Sequence, residues 1–161
     1  MSISFSGSEL IDIAIGIERR GIAFYDIMTR STDSAAARDI FQYLAEMERQ
    51  HIQVFQGMLD ETDKYRLTDT HTGEYAAYLQ TLVDNAVFTD DMVTSEMATQ
   101  ADSDLEAMEL AISAEKDSIL FYYEMKELMP QRAQPAVAKI IAEEKTHLRQ
   151  LSEIKKKLAA I

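Results

Sequence analysis

Apolar residues recur along this chain in alternating steps of three and four, in four separate stretches. The first links Ile11, Ala14, Glu18, Gly21, Tyr25 and Met28, and the second Phe41, Leu44, Glu48, His51, Phe55 and Met58. The third links Met108, Ala111, Glu115, Ser118, Tyr122 and Met125, and the last Val137, Ile140, Glu144, His147, Leu151, Ile154 and Leu158. Such steps follow one face of an α-helix, which turns about 100° per residue. The pattern predicts four long amphipathic helices at about 9–30, 34–61, 103–129 and 135–159, within a single domain spanning 1–161.

Signals at the helix ends agree with these limits. Ser6 with Glu9 three residues on resembles a capping box, and Ser103 with Glu106 repeats it. Ser31, Thr32 and Asp33 separate the first two helices, a link so short that the pair must be antiparallel neighbours. Pro130 and Pro135 bracket the last break, and Pro135 is expected as the first residue of the final helix. Lys155, Lys156 and Lys157 suit the negative end of that helix's dipole.

Residues 62–102 are too many for a plain loop and should hold structure of their own. Gly73 to Phe88 is expected to form a short helix with Tyr75, Tyr78, Leu79 and Leu82 on one side, and Thr89 to Gln100 a further turn or two. Helices two and three should run parallel, so this segment must cross the length of the bundle. The fold class is therefore all-α: a four-helix bundle with a long helical crossover between helices two and three.

Each stripe is broken near its centre by a glutamate, and two stripes add a histidine three residues later. These are Glu18, Glu48 with His51, Glu115, and Glu144 with His147. Positions i and i+3 lie one turn apart on the same helical face, so each Glu-x-x-His pair can reach a shared point. Four carboxylates converging in a dry core would repel one another, and buried ions must neutralise, pair or bind metal. No Lys or Arg falls on the stripes beside them. Two divalent cations would balance four carboxylates with both imidazoles neutral, which points to a two-metal site. His71, beside Asp69 and Thr70, is expected at the surface rather than among the ligands, and Asp84, Asp90, Asp91 and Glu96 are expected to be solvated.

An internal repeat reinforces the pattern. Ala14 to Glu18 aligns with Ala111 to Glu115, Phe24 and Tyr25 with Phe121 and Tyr122, and Met28 with Met125. Two similar helix pairs about a pseudo-two-fold axis would each contribute one Glu and one Glu-x-x-His to a common centre.

Composition narrows the partners. The 161 residues carry a net charge of −12, which argues against nucleic acid or an anionic membrane surface as a partner. There is no cysteine, so disulfides, zinc ribbons, iron–sulfur clusters and a rubredoxin-type iron site are excluded from this chain. No membrane span is expected, nor a signal peptide at the N-terminus, and the expected location is cytoplasmic.

Glutamates on helices one and three with Glu-x-x-His on helices two and four resemble the ferritin-like carboxylate-bridged dimetal pattern, and the bundle is expected to be ferritin-like. The stretches Ala14 to Tyr25, Glu46 to His51, Ala111 to Tyr122 and Ala142 to His147 look more specifically like a rubrerythrin-type member. By that resemblance, Glu48 and Glu144 would bridge two iron ions, with manganese or zinc as possible occupants of the purified protein. Glu18 and Glu115 would each be terminal on one ion, and His51 and His147 would each bind one ion. Tyr25, Tyr122 and Ser118 would lie just behind these ligands. Rubrerythrins with the peroxidase mechanism carry a further Glu where this chain has Ser118, and usually a cysteine-rich electron-transfer domain that is absent here.

The resemblance implies a redox function toward peroxide or dioxygen, with electrons from a separate donor protein, and a homodimer. Ferroxidase or iron-handling activity as in ferritins, and a structural metal in a non-enzymatic bundle, are the alternatives.

Overall fold

The computed structural model describes residues 6–60, 73–88 and 103–160, with only the backbone at 73 and 75. Helix α1 spans Gly7–Ser31 and α2 spans Ala35–Asp60. The crossover helix α3 is Gly73–Asp84, α4 is Asp104–Leu128 and α5 is Gln134–Ala159. His71, Asp90, Asp91, Glu96, the stretch from Thr89 to Gln100 and the end of helix two at Glu61 lie outside the described residues.

Local chemistry sets the ends. At Ser6 the capping box forms in full, with Glu9 Oε2 accepting from the Ser6 amide at 2.8 Å. Ser34 Oγ accepts from the Ala37 amide and Ser103 Oγ from the Glu106 amide, both at 3.2 Å. Each such contact satisfies an amide that the helix itself leaves without an acceptor. Helix α5 begins at Gln134, one residue before the expected Pro135, because a proline in the first turn costs no helical hydrogen bond.

The short helix stops four residues before the expected Phe88. Beyond Asp84 the chain turns inward, the Val87 amide donating to Asp117 Oδ2 on α4 at 2.8 Å and the Phe88 ring packing 4.7 Å from that of Phe24. Of the expected face, Leu79 is buried and Leu82 lines a cavity, whereas Tyr78 is exposed and Ala76 turns inward.

Two apolar clusters fill the bundle, and each helix reads from one to the other. Leu10, Ile11 and Ala14 of α1 join Phe55, Met58, Tyr122, Met125, Val137 and Ile140 in the first. Phe24, Tyr25 and Met28 join Phe41, Leu44, Met108, Ala111 and Leu151 in the second. Helices α1 and α5 therefore run from the first cluster to the second, and α2 and α4 run the other way. Helix α2 ends at the end of the bundle opposite the start of α4, so the chain between them must travel the bundle's length, about 39 Å for a 26-residue helix.

Packing is most extensive within the α1/α2 and α4/α5 hairpins, while α2 meets α5 and α1 meets α4 more sparingly. Polar ties join the elements: Arg49 pairs with Asp26 at 2.8 Å, Lys155 with Glu109 at 3.3 Å, and Thr32 Oγ1 donates to Asp104 at 2.5 Å. Among the described residues no helix is long and apolar enough to cross a membrane.

Phe41 is fully buried, stacks on Tyr25 with ring centroids 5.9 Å apart and stands edge-on to Phe24 at 6.2 Å. Phe41→Ala is expected to cost about 3–5 kcal/mol of unfolding free energy in the metal-free protein. Chemical denaturation measures this, and a loss below about 1 kcal/mol would mean the cluster is not packed as described.

Candidate metal centre

Between the two apolar clusters every one of the four long helices turns polar. Glu18, Glu48, His51, Glu115, Glu144 and His147 are each at most 3% exposed. Their carboxylate and imidazole atoms form two groups: Glu18, Glu48, His51 and Glu144 in one, and Glu48, Glu115, Glu144 and His147 in the other. Within each group one donor atom per residue lies within 4.8 Å of the others, and Glu48 and Glu144 belong to both.

Both histidines turn Nδ1 inward. His51 Nδ1 lies 3.1 Å from Glu48 Oε2, 3.1 Å from Glu144 Oε1 and 3.5 Å from Glu18 Oε2. His147 Nδ1 lies 3.1 Å from Glu144 Oε2, 3.6 Å from Glu48 Oε1 and 3.9 Å from Glu115 Oε2. The rings stack with centroids 5.8 Å apart.

Tyr25 and Tyr122 sit two turns beyond their own glutamates but serve those of the other hairpin. Tyr25 Oη donates to Glu115 Oε1 at 2.5 Å, and Tyr122 Oη donates to Glu18 Oε1. Side chains on a helix lean toward its N-terminus, so each tyrosine tilts back to the centre across the α1/α4 contact. Burial, then the charge of the adjoining glutamate, raises both phenol pKa values well above normal, and both remain protonated donors. Ser118 faces the centre's surroundings but gives its hydroxyl to the Ala114 carbonyl at 3.0 Å.

Glu143 was not anticipated. Its Oε2 lies 3.0 Å from His51 Nε2, reaching from α5 to α2. The doubled Glu143-Glu144 is its only trace in the sequence, and nothing there tells that a residue beside the inward stripe reaches a neighbouring helix.

The cluster's own electrostatics test whether cations fit it. Burial, reinforced by Glu48 and Glu144, raises Glu18 well above the usual carboxyl range, and burial with Glu144 and Glu48 does the same to Glu115. For Glu48 and Glu144 burial pushes upward but is outweighed, and both fall below normal. Hydrogen bonds from Glu18, His147 and His51 hold Glu48 ionised; bonds from Glu115, His147 and His51 hold Glu144 ionised. Burial pushes the imidazoles down, yet the surrounding glutamates prevail: His51 is raised far above normal and His147 to about 9. Without metal, two carboxylic acids, two carboxylates and two imidazoliums sum to zero charge. Two divalent ions with four carboxylates and two neutral imidazoles also sum to zero. Glu144 Oε1 is buried, with His51 Nδ1 3.1 Å away but not in hydrogen-bonding geometry, so the oxygen remains open to a cation. The oxygen-rich donor set with one nitrogen per group suits iron or manganese, and zinc binds such sites too.

A cavity opens from between α1 and α4 onto this centre. Its wall includes Glu18, Glu48 and Glu115 but neither histidine, and Leu82, Val83 and Phe88 of the crossover form its roof. It holds about 40 Å³ accessible to the centre of a water-sized molecule.

Comparison with known proteins agrees with this geometry. The rubrerythrin family model matches residues 9–155. The crystal structure of a proposed ferritin-like diiron-carboxylate protein from Thermotoga maritima is 32% identical, with a TM-score of 0.68, over 94% of this chain and 95% of that one. Nothing among curated proteins matches the chain. The fold and the buried Glu/His cluster define a ferritin-like carboxylate protein with a site suited to two metal ions. The chain belongs to the rubrerythrin family.

Loading the centre should exchange protons for metal. Glu18, Glu115, His51 and His147 hold protons that ligation displaces, so about four protons leave as two ions bind near neutral pH. Apparent affinity should therefore rise with pH, and the proton count should fall as pH passes about 9, where His147 gives up its proton unaided. Calorimetry in buffers of different ionisation enthalpy reads that count. Release of no protons would contradict the charge balance.

Proposed function

We propose that this chain is a redox protein whose centre holds two iron ions and reacts with peroxide or dioxygen. The observation that carries this reading is the cavity ending on Glu18, Glu48 and Glu115, which joins the ligand cluster to a space of small-molecule size. A space of about 40 Å³ has room for roughly two or three waters, and so for one peroxide or dioxygen. The diiron-carboxylate description of the Thermotoga maritima structure supports iron.

Each group of residues has a task in this reading. Glu48 and Glu144 would bridge the ions; Glu18 and His51 would complete one position, Glu115 and His147 the other. Tyr25 and Tyr122 hold Glu115 and Glu18 at fixed angles through their phenol protons. Ile17, Ala114, Phe121, Leu82 and Val83 line the approach with apolar surface and keep bulk water from the centre. When bound, a ferrous pair supplies two electrons, which with two protons turn one hydrogen peroxide into two waters and leave two ferric ions. With no cysteine in the chain, reduction back to the ferrous state falls to a separate donor protein. The assembly is a homodimer in this reading, whereas a mineral-storing protein would form a shell; size-exclusion mass separates the two.

Anaerobic reconstitution with ferrous iron, followed by peroxide, tests the function. Ferric absorbance should grow with one peroxide consumed per two irons. A bound metal that peroxide leaves unchanged would reduce the centre to a structural role. Glu18→Ala should weaken the ion at Glu18 and His51 by at least about tenfold and leave one ion firmly held. Two fully retained ions in that variant, by elemental analysis, would contradict the ligand assignment.

A further inference from the structure

The halves of the centre match in every inward-facing donor but differ in what stands behind the histidines. His51 turns Nε2 to Glu143 Oε2 at 3.0 Å, and Glu143 is itself paired with Lys139 at 3.8 Å. His147 has no such support: its Nε2 is buried and lacks a hydrogen-bond partner among the described residues. The internal repeat shows why. Glu143 immediately precedes Glu144, and the corresponding residue before Glu48 is Met47, whose thioether is a poor acceptor. The Tyr43 ring stands edge-on to His147 at 6.1 Å and supplies no carboxylate there.

We propose that the two metal positions are inequivalent, the Glu18/His51 position binding a divalent ion first and more tightly because Glu143 positions and polarises His51. This rests on the dinuclear reading of the centre. A carboxylate accepting the outer N–H fixes the ring's rotation and tautomer, leaving Nδ1 as the lone-pair donor. It also makes that nitrogen more basic and adds negative charge near the bound cation. Partners of this kind are typically worth about ten- to a hundredfold in metal affinity. The ring of His147 receives no comparable help, so the Glu115/His147 position holds the more exchangeable ion. Glu143 belongs to neither candidate ligand group; it acts through His51 and is a positioning residue.

The test uses the full-length chain, stripped of metal and titrated with cobalt(II), followed by visible absorption and calorimetry. Two resolved steps are expected. Anomalous diffraction from crystals given one equivalent should place the cobalt beside Glu18 and His51. Glu143→Gln keeps the side chain's shape but removes its charge. It should weaken the first step about ten- to a hundredfold, leave the second within a few-fold, and draw the two together. Met47→Glu places a carboxylate behind His147 at the repeat-related position and should strengthen the second step, a gain that disrupted folding cannot imitate. Two equal steps in the native chain, one equivalent spread evenly over both positions, or a Glu143→Gln effect that is absent or equal on both steps would overturn the proposal. Failure to bind cobalt at all would overturn the dinuclear reading as well, so the two failures are distinguishable.

Discussion

Four carboxylates buried within hydrogen-bonding reach of two imidazoles can persist in a protein core only if positive charge is supplied at the same place. An unpaired buried carboxylate costs several kcal/mol even after the surroundings relax. This chain's solution is a centre with zero net charge in either of two states. One holds protons on Glu18, Glu115, His51 and His147, and the other would hold two divalent cations in their place. The donor atoms already lie close together, so little reorganisation opposes binding.

The rest of the bundle holds that centre in place. Apolar clusters lie on both sides along the bundle axis, and each long helix contributes to both, so no helix can slide without disturbing packing at two ends. Within the hairpins the packing is extensive; between α1 and α4 it is sparser, and there the cavity reaches the carboxylates. The crossover closes that side, anchored by the Asp117 carboxylate and the Phe88 ring. The donors on one side and the largely apolar approach on the other arise from the same arrangement of helices.

The periodic stripes made the bundle legible, because a helical face announces itself in spacing alone. The second and third stripes are buried at every position named. On α5, Ile154 and Leu158 are only half-buried, since they lie near the end of the helix. Less visible were contacts that depend on how helices meet. Spacing put Tyr25 beneath Glu18, but the bond runs to Glu115, because side-chain tilt and the α1/α4 crossing decide the partner. Glu143 sits off the stripe and looks like a solvated residue until α2 is packed beside it. The short helix ends before the predicted Phe88 because an apolar run does not distinguish a helix from a turn that tucks an aromatic ring into the core.

Native mass spectrometry of the protein, before and after chelation, bears most directly on the claim that cations answer the buried carboxylates. The expected result is two metal ions per chain, lost together with a large drop in melting temperature when the chelator removes them. A chain that carries no metal after growth in metal-sufficient medium, with a melting temperature that chelator and added iron leave unchanged, would contradict it.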